Sequence, residues 1–317
     1  MHFTLIKNFI NKTLKFGWYI PFSNLILNYG NKVLPPIVLD KLFSKRNRKI
    51  QLKTAPILKK ALSGHYASDN QQYDNKTSNT IWVCWLQGEK HMPEIVRLCL
   101  SSIRKNSNGH KVILLTEENY NSFVDISYTI TDLYCSGKIK PAHFADLLRI
   151  NLLAQRGGLW LDATILLTSP IPDIWFQSEF FSIKTKELGR FVSKCRWAVF
   201  ALACKPESRF LTIIAKAFDE YLEHEYVFVD YFLFDHFIDL LYQKDKNVQQ
   251  TIDDIPLNNP HVHELNKLLC SDFDNQTYKM LTKDTGVFKL NTRSYSPTEL
   301  DSNPNSFYAY LKKAYLS

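Results

Sequence analysis

The sequence predicts an α/β protein in which parallel strands alternate with helices. Residues 80–86 form a β-rich apolar run, residues 93–105 carry apolar side chains at helical spacing, and residues 111–116 form a second β-rich run. A strand, a helix and a strand joined by short connections indicate a βαβ unit, and such units build parallel sheets. The chain has 317 residues, of which 45% are hydrophobic and 22% charged, and these values are typical of a folded globular protein.

The first 60 residues differ in charge from the rest of the chain. They hold 12 Lys and Arg residues and one acid, Asp40, whereas the remainder holds 27 bases and 30 acids. The net charge of +8 therefore belongs to the N-terminal segment, and the near-neutral body argues against a nucleic-acid-binding protein. Aromatic and basic residues interleaved at helical spacing favour an element that lies in the interface of an anionic membrane. The alternative is a helical appendage that packs on the body.

No stretch of this segment is predicted to cross a membrane. Its longest charge-free run, residues 16–31, contains Pro21 and Gly30, and a spanning helix needs about 20 predominantly apolar residues. No small-residue cleavage site follows, which argues against a secretory signal. The cysteines form no CxxC pair and lie mostly in apolar runs, as in proteins of reducing compartments. We therefore expect a cytoplasmic protein, peripheral on the inner face of the cytoplasmic membrane.

Four segments are expected along the chain. Residues 1–63 are predicted to form a basic amphipathic helical extension, residues 64–79 a polar linker, residues 80–300 the α/β body, and residues 301–317 a C-terminal helix. These boundaries follow the shifts in charge and apolar content.

Within the body, the apolar spacing predicts further elements. A helix over residues 141–155 begins with a proline and is stopped by Gly157 and Gly158, and residues 159–167 are expected to form one buried strand. The remaining elements are predicted as a strand at 196–204, helices at 206–224 and 229–243, a loop at 244–260 and a short strand at 287–290.

The most informative chemistry lies where the helix of residues 141–155 leads into the next strand. His143, Asp146 and Arg149 are three residues apart and share one helix face. Asp162 lies inside the apolar strand, where an unpaired carboxylate is costly, so we expect it to bind a cation or to pair with Arg149. The simpler alternative for the helix is a surface ion pair, which contributes little to stability.

Two stretches of the body carry a family resemblance. Ala142-His-Phe-Ala-Asp-Leu-Leu-Arg149 and Gly157-Gly-Leu-Trp-Leu-Asp-Ala-Thr164 resemble the signature of capsular polysaccharide synthesis glycosyltransferases. This family is similar to glycosyltransferase family 32 and belongs to the sugar transferases with a DXD motif. Segments at 81–88, 229–233 and 287–290 also match, so the resemblance covers residues 80–290. It implies a GT-A-like nucleotide-sugar-binding fold with a Rossmann-like mixed sheet.

The resemblance also implies the activity and its residues. The protein would transfer a sugar, with retention at the anomeric carbon, from a nucleotide-diphosphate sugar to a growing capsular polysaccharide. Trp85 would line the nucleotide pocket, Asp162 would lie at the metal and the diphosphate as the first acid of the motif, and UDP-sugars are the favoured donors. The nucleotide-sugar-binding residues implied are Trp85, Gln87, Gly88, His143, Asp146, Arg149, Gly158 and Thr164.

The motif departs from the family pattern at its last position, where Thr164 replaces the second acid. One carboxylate and one hydroxyl make a weak site for Mn²⁺ or Mg²⁺, which prefer several oxygen ligands. His263 is the candidate for a further metal ligand, with His261 as the other histidine of the same His-x-His. The alternative is that basic side chains neutralise the diphosphate without metal. The candidates for that role are Lys184, Lys186, Arg190 and Lys194.

Asp230 is the second candidate catalytic acid. It lies in the apolar segment at 229–233, where it would orient or deprotonate the acceptor hydroxyl or, alternatively, cap the helix that follows. A lipid-linked oligosaccharide is the expected acceptor, because the extension is expected at an anionic membrane surface. The missing second acid keeps one other function open, a non-catalytic scaffold that binds glycan or nucleotide in a synthesis complex.

Overall fold

The computed structural model describes residues 2–65, 79–186 and 189–316 of the chain. The helices are α1 (His2–Phe16), α2 (Tyr19–Tyr29), α3 (Pro36–His65), α4 (Glu94–Lys105), α5 (Tyr128–Cys135), α6 (Pro141–Arg156), α7 (Ile174–Gln177), α8 (Arg209–His224), α9 (Leu233–Lys244), α10 (Lys246–Asp253), α11 (Leu265–Leu268), α12 (Asn275–Thr282), α13 (Pro297–Leu300) and α14 (Phe307–Tyr315). The strands are β1 (Thr80–Cys84), β2 (Lys111–Leu115), β3 (Gly158–Asp162), β4 (Ile165–Leu167), β5 (Phe181–Ser182), β6 (Ala201–Cys204) and β7 (Val287–Lys289).

Within the described residues, five strands form a mixed sheet in the order β2-β1-β3-β6-β5. Strand β1 pairs in parallel with both β2 and β3, whereas β6 runs antiparallel to β3 and to β5. The predicted α/β class and the βαβ unit of β1, α4 and β2 are confirmed. Alternate residues of β1 serve the two faces of the sheet: Trp82 packs into the core that contains α6, α8 and α9, and Ile81 and Val83 pack against α4.

The prediction of one buried strand over residues 159–167 is wrong in one respect, because the strand ends at Asp162 and a second strand follows. Residues 163–164 form a turn, and β4 then pairs with β7 in a separate antiparallel sheet, with Ile165 opposite Lys289. The position before β3 requires glycine for two reasons, its backbone angle and the lack of space for a Cβ atom. Gly157 has a φ of 62°, and a Cβ at this position would lie 2.4 Å from the backbone nitrogen of Pro206.

Two later predictions also differ from the structure. The loop predicted at 244–260 contains helix α10, because Val248 and Ile252 bury one face of a helical turn and the Asp245 carboxylate accepts hydrogen bonds from its first amides. The strand predicted at 196–204 is shorter, since β6 begins at Ala201. The predicted linker lies outside the described residues, except that residues 64–65 end α3 and Asn79 precedes β1.

The three helices of the extension pack on one another and on the body. Helix α3 lies against α8 and α9, and buries Ile50 and Leu58 in the shared core. Polar contacts join the same surfaces: Gln51 Nε2 donates to Asp239 Oδ2 at 2.6 Å. None of the described helices is both long and apolar enough to span a bilayer.

Candidate functional site

The candidate site lies at the carboxyl ends of the parallel strands β1 and β3. Cys84 and Asp162, the last residues of these two strands, are direct neighbours in the sheet. Helix α6 leads into β3 and brings Arg149 to the same edge, where the side chain is almost fully buried. In open α/β sheets, ligands bind in the crevice outside the carboxyl ends of the strands, so this edge is the expected position for a binding site.

Four hydrogen bonds define a charged cluster, named here the Asp162 cluster. Asp162 Oδ1 accepts from Arg149 Nη1 at 3.1 Å and from Trp160 Nε1 at 3.0 Å. Lys289 Nζ donates to Asp162 Oδ2 at 2.7 Å and to Thr164 Oγ1 at 2.8 Å. Burial opposes ionisation of this carboxyl, but Lys289 and Arg149 outweigh it and keep the pKa of Asp162 below its usual value. The predicted pairing with Arg149 is therefore present, together with a second cation.

A second carboxyl shares Arg149. Asp146 accepts a hydrogen bond from Arg149 Nη2 on the same helix. Burial raises the pKa of Asp146 to about 6, although Arg149 opposes the shift. Asp235 lies nearby in α9, accepts from Trp197 Nε1 at 2.9 Å, and has its pKa raised by burial to about 7. These two carboxyls therefore titrate close to neutral pH, unlike Asp162.

The surroundings of Asp162 do not fit a divalent cation. Both carboxylate oxygens already accept hydrogen bonds, and the Thr164 hydroxyl is bonded to Lys289. A hard cation prefers several oxygen ligands, whereas the groups found here are two cations and an indole N–H. His263 is exposed and its ring lies 5.9 Å from that of Phe200. The Mn²⁺ or Mg²⁺ expected at Asp162 and His263 stays a prediction, and the groups found at Asp162 favour the alternative in which basic side chains neutralise the diphosphate.

Among the described residues, a group of three side chains close enough to share a metal ion occurs only on α8. It consists of Glu220, Glu223 and His224, and only Glu220 is not exposed. Lys60 and His224 form ion pairs with Glu220, which accounts for the cluster without an ion.

The loop after β1 contributes three predicted nucleotide-binding residues to the same edge. Trp85 is half-buried, and its indole Nε1 has no hydrogen-bond partner among the described residues. Gln87 is exposed, and its carbonyl oxygen lies 2.8 Å from His91 Nδ1. Gly88 has a φ of 79°, so the loop turns through a conformation that favours glycine. Trp85 thus combines a ring surface with an unused donor.

Two other predicted residues lie apart from Asp162. Gly158 begins β3, opposite Cys204, and is therefore at the other end of the strand. The ring of His143 stacks on Phe228 with centroids 4.0 Å apart, and burial, helped by Lys12, lowers the pKa of His143 to about 4. A neutral, stacked imidazole fills space between α6 and the segment before α9.

Asp230 lies in a separate charged cluster, named here the Asp230 cluster. Arg46 Nη2 from α3 lies 2.5 Å from Asp230 Oδ1, and His236 Nε2 from α9 lies 3.0 Å from Oδ2. All three side chains are buried. Burial opposes ionisation, but His236 and Arg46 hold the pKa of Asp230 well below its usual range. The N-cap of α9 is Phe232, so Asp230 does not cap this helix.

A cleft of about 540 Å³ lies between the extension and the body. The extension contributes Lys12, Asn24, Asn28 and Arg46 to its lining, and the body contributes Trp197, Phe200, Tyr231, Asp235 and His263. Tyr231 connects the cleft to the sheet edge, because Asp146 and Asp162 are both close enough to raise the pKa of its hydroxyl, after the larger effect of burial. Aromatic rings with a few polar groups are the usual lining of a small-molecule binding site.

Three basic residues of these clusters, Lys289, Arg46 and His236, were not predicted from the sequence. Lys289 gives a usable signal, since it is a charge between the apolar residues Phe288 and Leu290, as Asp162 is in its own strand. Arg46 gives none, because it lies among many other bases of the extension. Two of the four basic residues predicted to bind the diphosphate have other contacts: Lys184 donates to the carbonyl of Asp253 at 2.8 Å, and Arg190 pairs with Asp40 at 2.6 Å.

The family model of the capsular polysaccharide synthesis proteins matches residues 37–311. The chain belongs to this family. No curated protein and no solved structure matches it. The match begins within α3 and includes both charged clusters and the sheet edge. Family membership assigns the chain to the synthesis of capsular polysaccharide.

Proposed function

We propose that the protein is a glycosyltransferase that moves a sugar from a nucleotide-diphosphate sugar to a lipid-linked capsular acceptor. The observation that carries the proposal is the Asp162 cluster, which combines two cations with a carboxylate at the carboxyl edge of parallel strands, beside the cleft. The GT-A-like fold and retention at the anomeric carbon are part of the proposal and come from the family resemblance.

In this proposal the donor lies along the sheet edge. Trp85 stacks on the base, with UDP favoured, and Asp146 and Arg149 hold hydroxyls of the ribose and sugar. Breaking the sugar–diphosphate bond builds negative charge on the leaving diphosphate, which preorganised cations stabilise. Lys289 and Arg149 are suited to that task, because both are already held at Asp162. A divalent cation would supply the same neutralisation and is the alternative.

The acceptor is proposed to enter through the cleft. The catalytic role predicted for Asp230 stays a prediction, and its engagement by Arg46 and His236 leaves it poorly suited to accept a proton. Asp235 is the better candidate to bind or deprotonate the acceptor hydroxyl, because it lines the cleft and its pKa is raised by burial to about 7. A general base is most effective when its pKa is near the working pH.

The membrane association of the extension is also part of the proposal. Trp18, Phe22, Leu25 and Tyr29 are exposed along one stripe of α2, with helical spacing. Such a stripe with neighbouring Lys and Arg residues favours the surface of an anionic leaflet, and this supports the proposed location on the inner face of the cytoplasmic membrane. A lipid-linked acceptor is available at that surface.

Sugar transfer or donor hydrolysis with a panel of UDP-, GDP-, CDP- and dTDP-sugars tests the activity. We expect turnover with one donor class and a loss of about 10²–10³-fold in the Asp162→Asn variant, because Asp162 holds Lys289 and Arg149 in place and a misplaced charge-stabilising donor costs about that much. Asp125→Asn is the matched control, because Asp125 is exposed and, among the described residues, only its backbone is hydrogen-bonded. Nucleotide binding without turnover by the wild type would favour the non-catalytic scaffold.

A further inference from the structure

The side of the cleft formed by the extension carries an excess of positive charge. Lys12 from α1 and Arg46 from α3 both line it, and the carboxylate near them is Asp230. Asp230 is already paired with Arg46 and His236. Lys140, just before α6, adds a further positive charge near Lys12. Asp235 also lines the cleft, but among the described residues Asp230 is the carboxylate that acts on Lys12, and it already has two partners.

Lys12 is the cation left without a partner. It is half-buried in the cleft and forms no ion pair or hydrogen bond with any part of the chain that the structure describes. Burial lowers its pKa, and Arg46 and Lys140 add to this effect, while Asp230 opposes it. An ammonium group removed from water without a partner costs free energy, so an anionic ligand would be favoured at this position.

Arg46 adds a fixed positive charge at the same place. The residue is 3% exposed, and its Nη2 and Nη1 donate to Asp230 Oδ1 at 2.5 Å and to Asn47 Oδ1 at 2.8 Å. Its Nε is buried and has no hydrogen-bond partner among the described residues. This nitrogen is out of reach of a ligand, so Arg46 contributes its positive charge to the cleft while its guanidinium stays bound to Asp230 and Asn47.

We propose that Lys12, with the positive charge of Arg46 beside it, forms a subsite for the phosphate of a prenyl-type lipid carrier to which the acceptor glycan is attached. The proposal rests on the proposed function, because it assumes that the cleft receives the acceptor. Lys and Arg are the residues that bind phosphate, by charge and by directed hydrogen bonds.

The position of α2 supports a lipid carrier over a free phosphate. Asn24 and Asn28 line the cleft, whereas Leu25 and Tyr29 of the same helix are exposed on its outer side. The cleft and the apolar stripe lie on opposite sides of α2, so they are separated by the width of one helix, about 10 Å. A carrier whose tail lies along the stripe could therefore place its phosphate in the cleft. The extension would then form one wall of the acceptor site as well as the contact with the membrane.

Titration calorimetry with farnesyl diphosphate, a short carrier analogue, tests the subsite. We expect Lys12→Met to weaken its binding by about tenfold to a hundredfold, the loss typical of a hydrogen bond to a charged group, and Lys12→Arg to restore most of it. Lys7→Met is the control, since Lys7 is exposed on the same helix. Unchanged thermal unfolding of Lys12→Met establishes that the variant is folded.

Three parallel titrations separate this subsite from a donor site, a bilayer contact and a site for free phosphate. UDP is expected to bind Lys12→Met as it binds the wild type, and an equal loss would assign Lys12 to the donor instead. Vesicles of phosphatidylglycerol are expected to bind both proteins alike. A loss confined to the vesicles would mean that Lys12 binds bilayer headgroups, which overturns the proposal. Unchanged binding of farnesyl diphosphate also overturns it.

Inorganic pyrophosphate is expected to bind more weakly than farnesyl diphosphate, and equal binding would argue against a lipid carrier. Failure of the proposed function would appear separately, as absence of UDP binding and turnover in the wild type.

Discussion

The Asp162 cluster and the Asp230 cluster are built alike and differ in where their partners come from. Each has an aspartate in an apolar stretch paired with an arginine. The partners of Asp162 lie in the body, and its side chain is 32% exposed at the sheet edge. The main partner of Asp230 is Arg46 of the extension, and both of these side chains are only 4% exposed.

This difference distinguishes a ligand-binding site from an ion pair that holds two parts of the protein together. A carboxylate at an accessible edge can exchange one hydrogen-bond partner for a ligand, whereas a fully buried ion pair loses a large free energy when it is broken. The Asp162 cluster therefore suits ligand binding, and the Asp230 cluster holds the extension against α9. The following variants test this division, from the largest expected effect to the smallest.

Removing Arg46 from the Asp230 cluster is expected to have the largest effect on stability. Arg46→Met leaves the Asp230 carboxylate buried with His236 as its remaining side-chain partner, and breaking a buried pair in this way costs about 3–5 kcal/mol. Denaturant unfolding measures the loss. Arg48→Met is the matched control, because Arg48 is exposed on the same helix. Equal stability of the two variants would contradict a structural role for the Asp230 cluster.

A smaller effect is expected from Asp235, and it depends on pH. Burial raises the pKa of Asp235 to about 7, well above the ordinary value for an aspartate, so the folded protein holds this proton more tightly than the unfolded chain does. The free energy of unfolding therefore falls as pH rises from about 4 to about 7, by on the order of 2–4 kcal/mol. Asp235→Asn should remove that decrease while keeping an oxygen for Trp197 Nε1.

The measurement is the difference in unfolding free energy between wild type and Asp235→Asn from pH 4 to pH 8. Using the difference cancels the opposite contribution of His143, whose pKa is lowered by burial to about 4 and which favours folding as pH rises. A difference that does not change with pH would mean that folding does not raise the pKa of Asp235. Asp125→Asn serves as the exposed control.

The sequence predicts those features that depend on local spacing. The βαβ unit and helix α6 follow from apolar periodicity and from the proline and glycines at their ends. The apolar strand around Asp162 indicates that this acid needs a cationic partner, and Arg149 is identifiable because it is near in sequence. Lys289 is 127 residues away from Asp162 and reaches it only because β4 pairs with β7. The same long-range pairing breaks the predicted strand after Asp162.

The partner of Asp230 could not be predicted for the same physical reason. A buried acid in an apolar segment indicates that a partner exists, but tertiary packing selects which of the many bases of the extension provides it. The sequence also leaves open whether the extension packs on the body or lies at a membrane. Helix α3 packs on the body, while the outer stripe of α2 remains exposed, so each surface has to be tested separately.

The smallest effect on stability is expected at that outer stripe. Trp18→Ser combined with Phe22→Ser removes two exposed rings, so unfolding should change by less than about 0.5 kcal/mol. Binding to vesicles that contain phosphatidylglycerol, measured by co-sedimentation, should fall by about tenfold or more, because each buried ring contributes on the order of 2 kcal/mol. Leu257→Ser is the matched control, an exposed apolar residue of the body. Equal vesicle binding by all three proteins would contradict the membrane role.

The central claim is that the Asp162 cluster binds the donor diphosphate through Lys289 and Arg149. Calorimetric titration with UDP, in Mn²⁺ and then in excess EDTA, tests it most directly, with Lys289→Met as the variant and Lys279→Met, an exposed lysine of α12, as the control. We predict that UDP binding by the wild type and by Lys279→Met survives EDTA, and that Lys289→Met loses it under both conditions. Binding that requires Mn²⁺ and is unchanged in Lys289→Met would contradict the claim and would place a metal ion at Asp162.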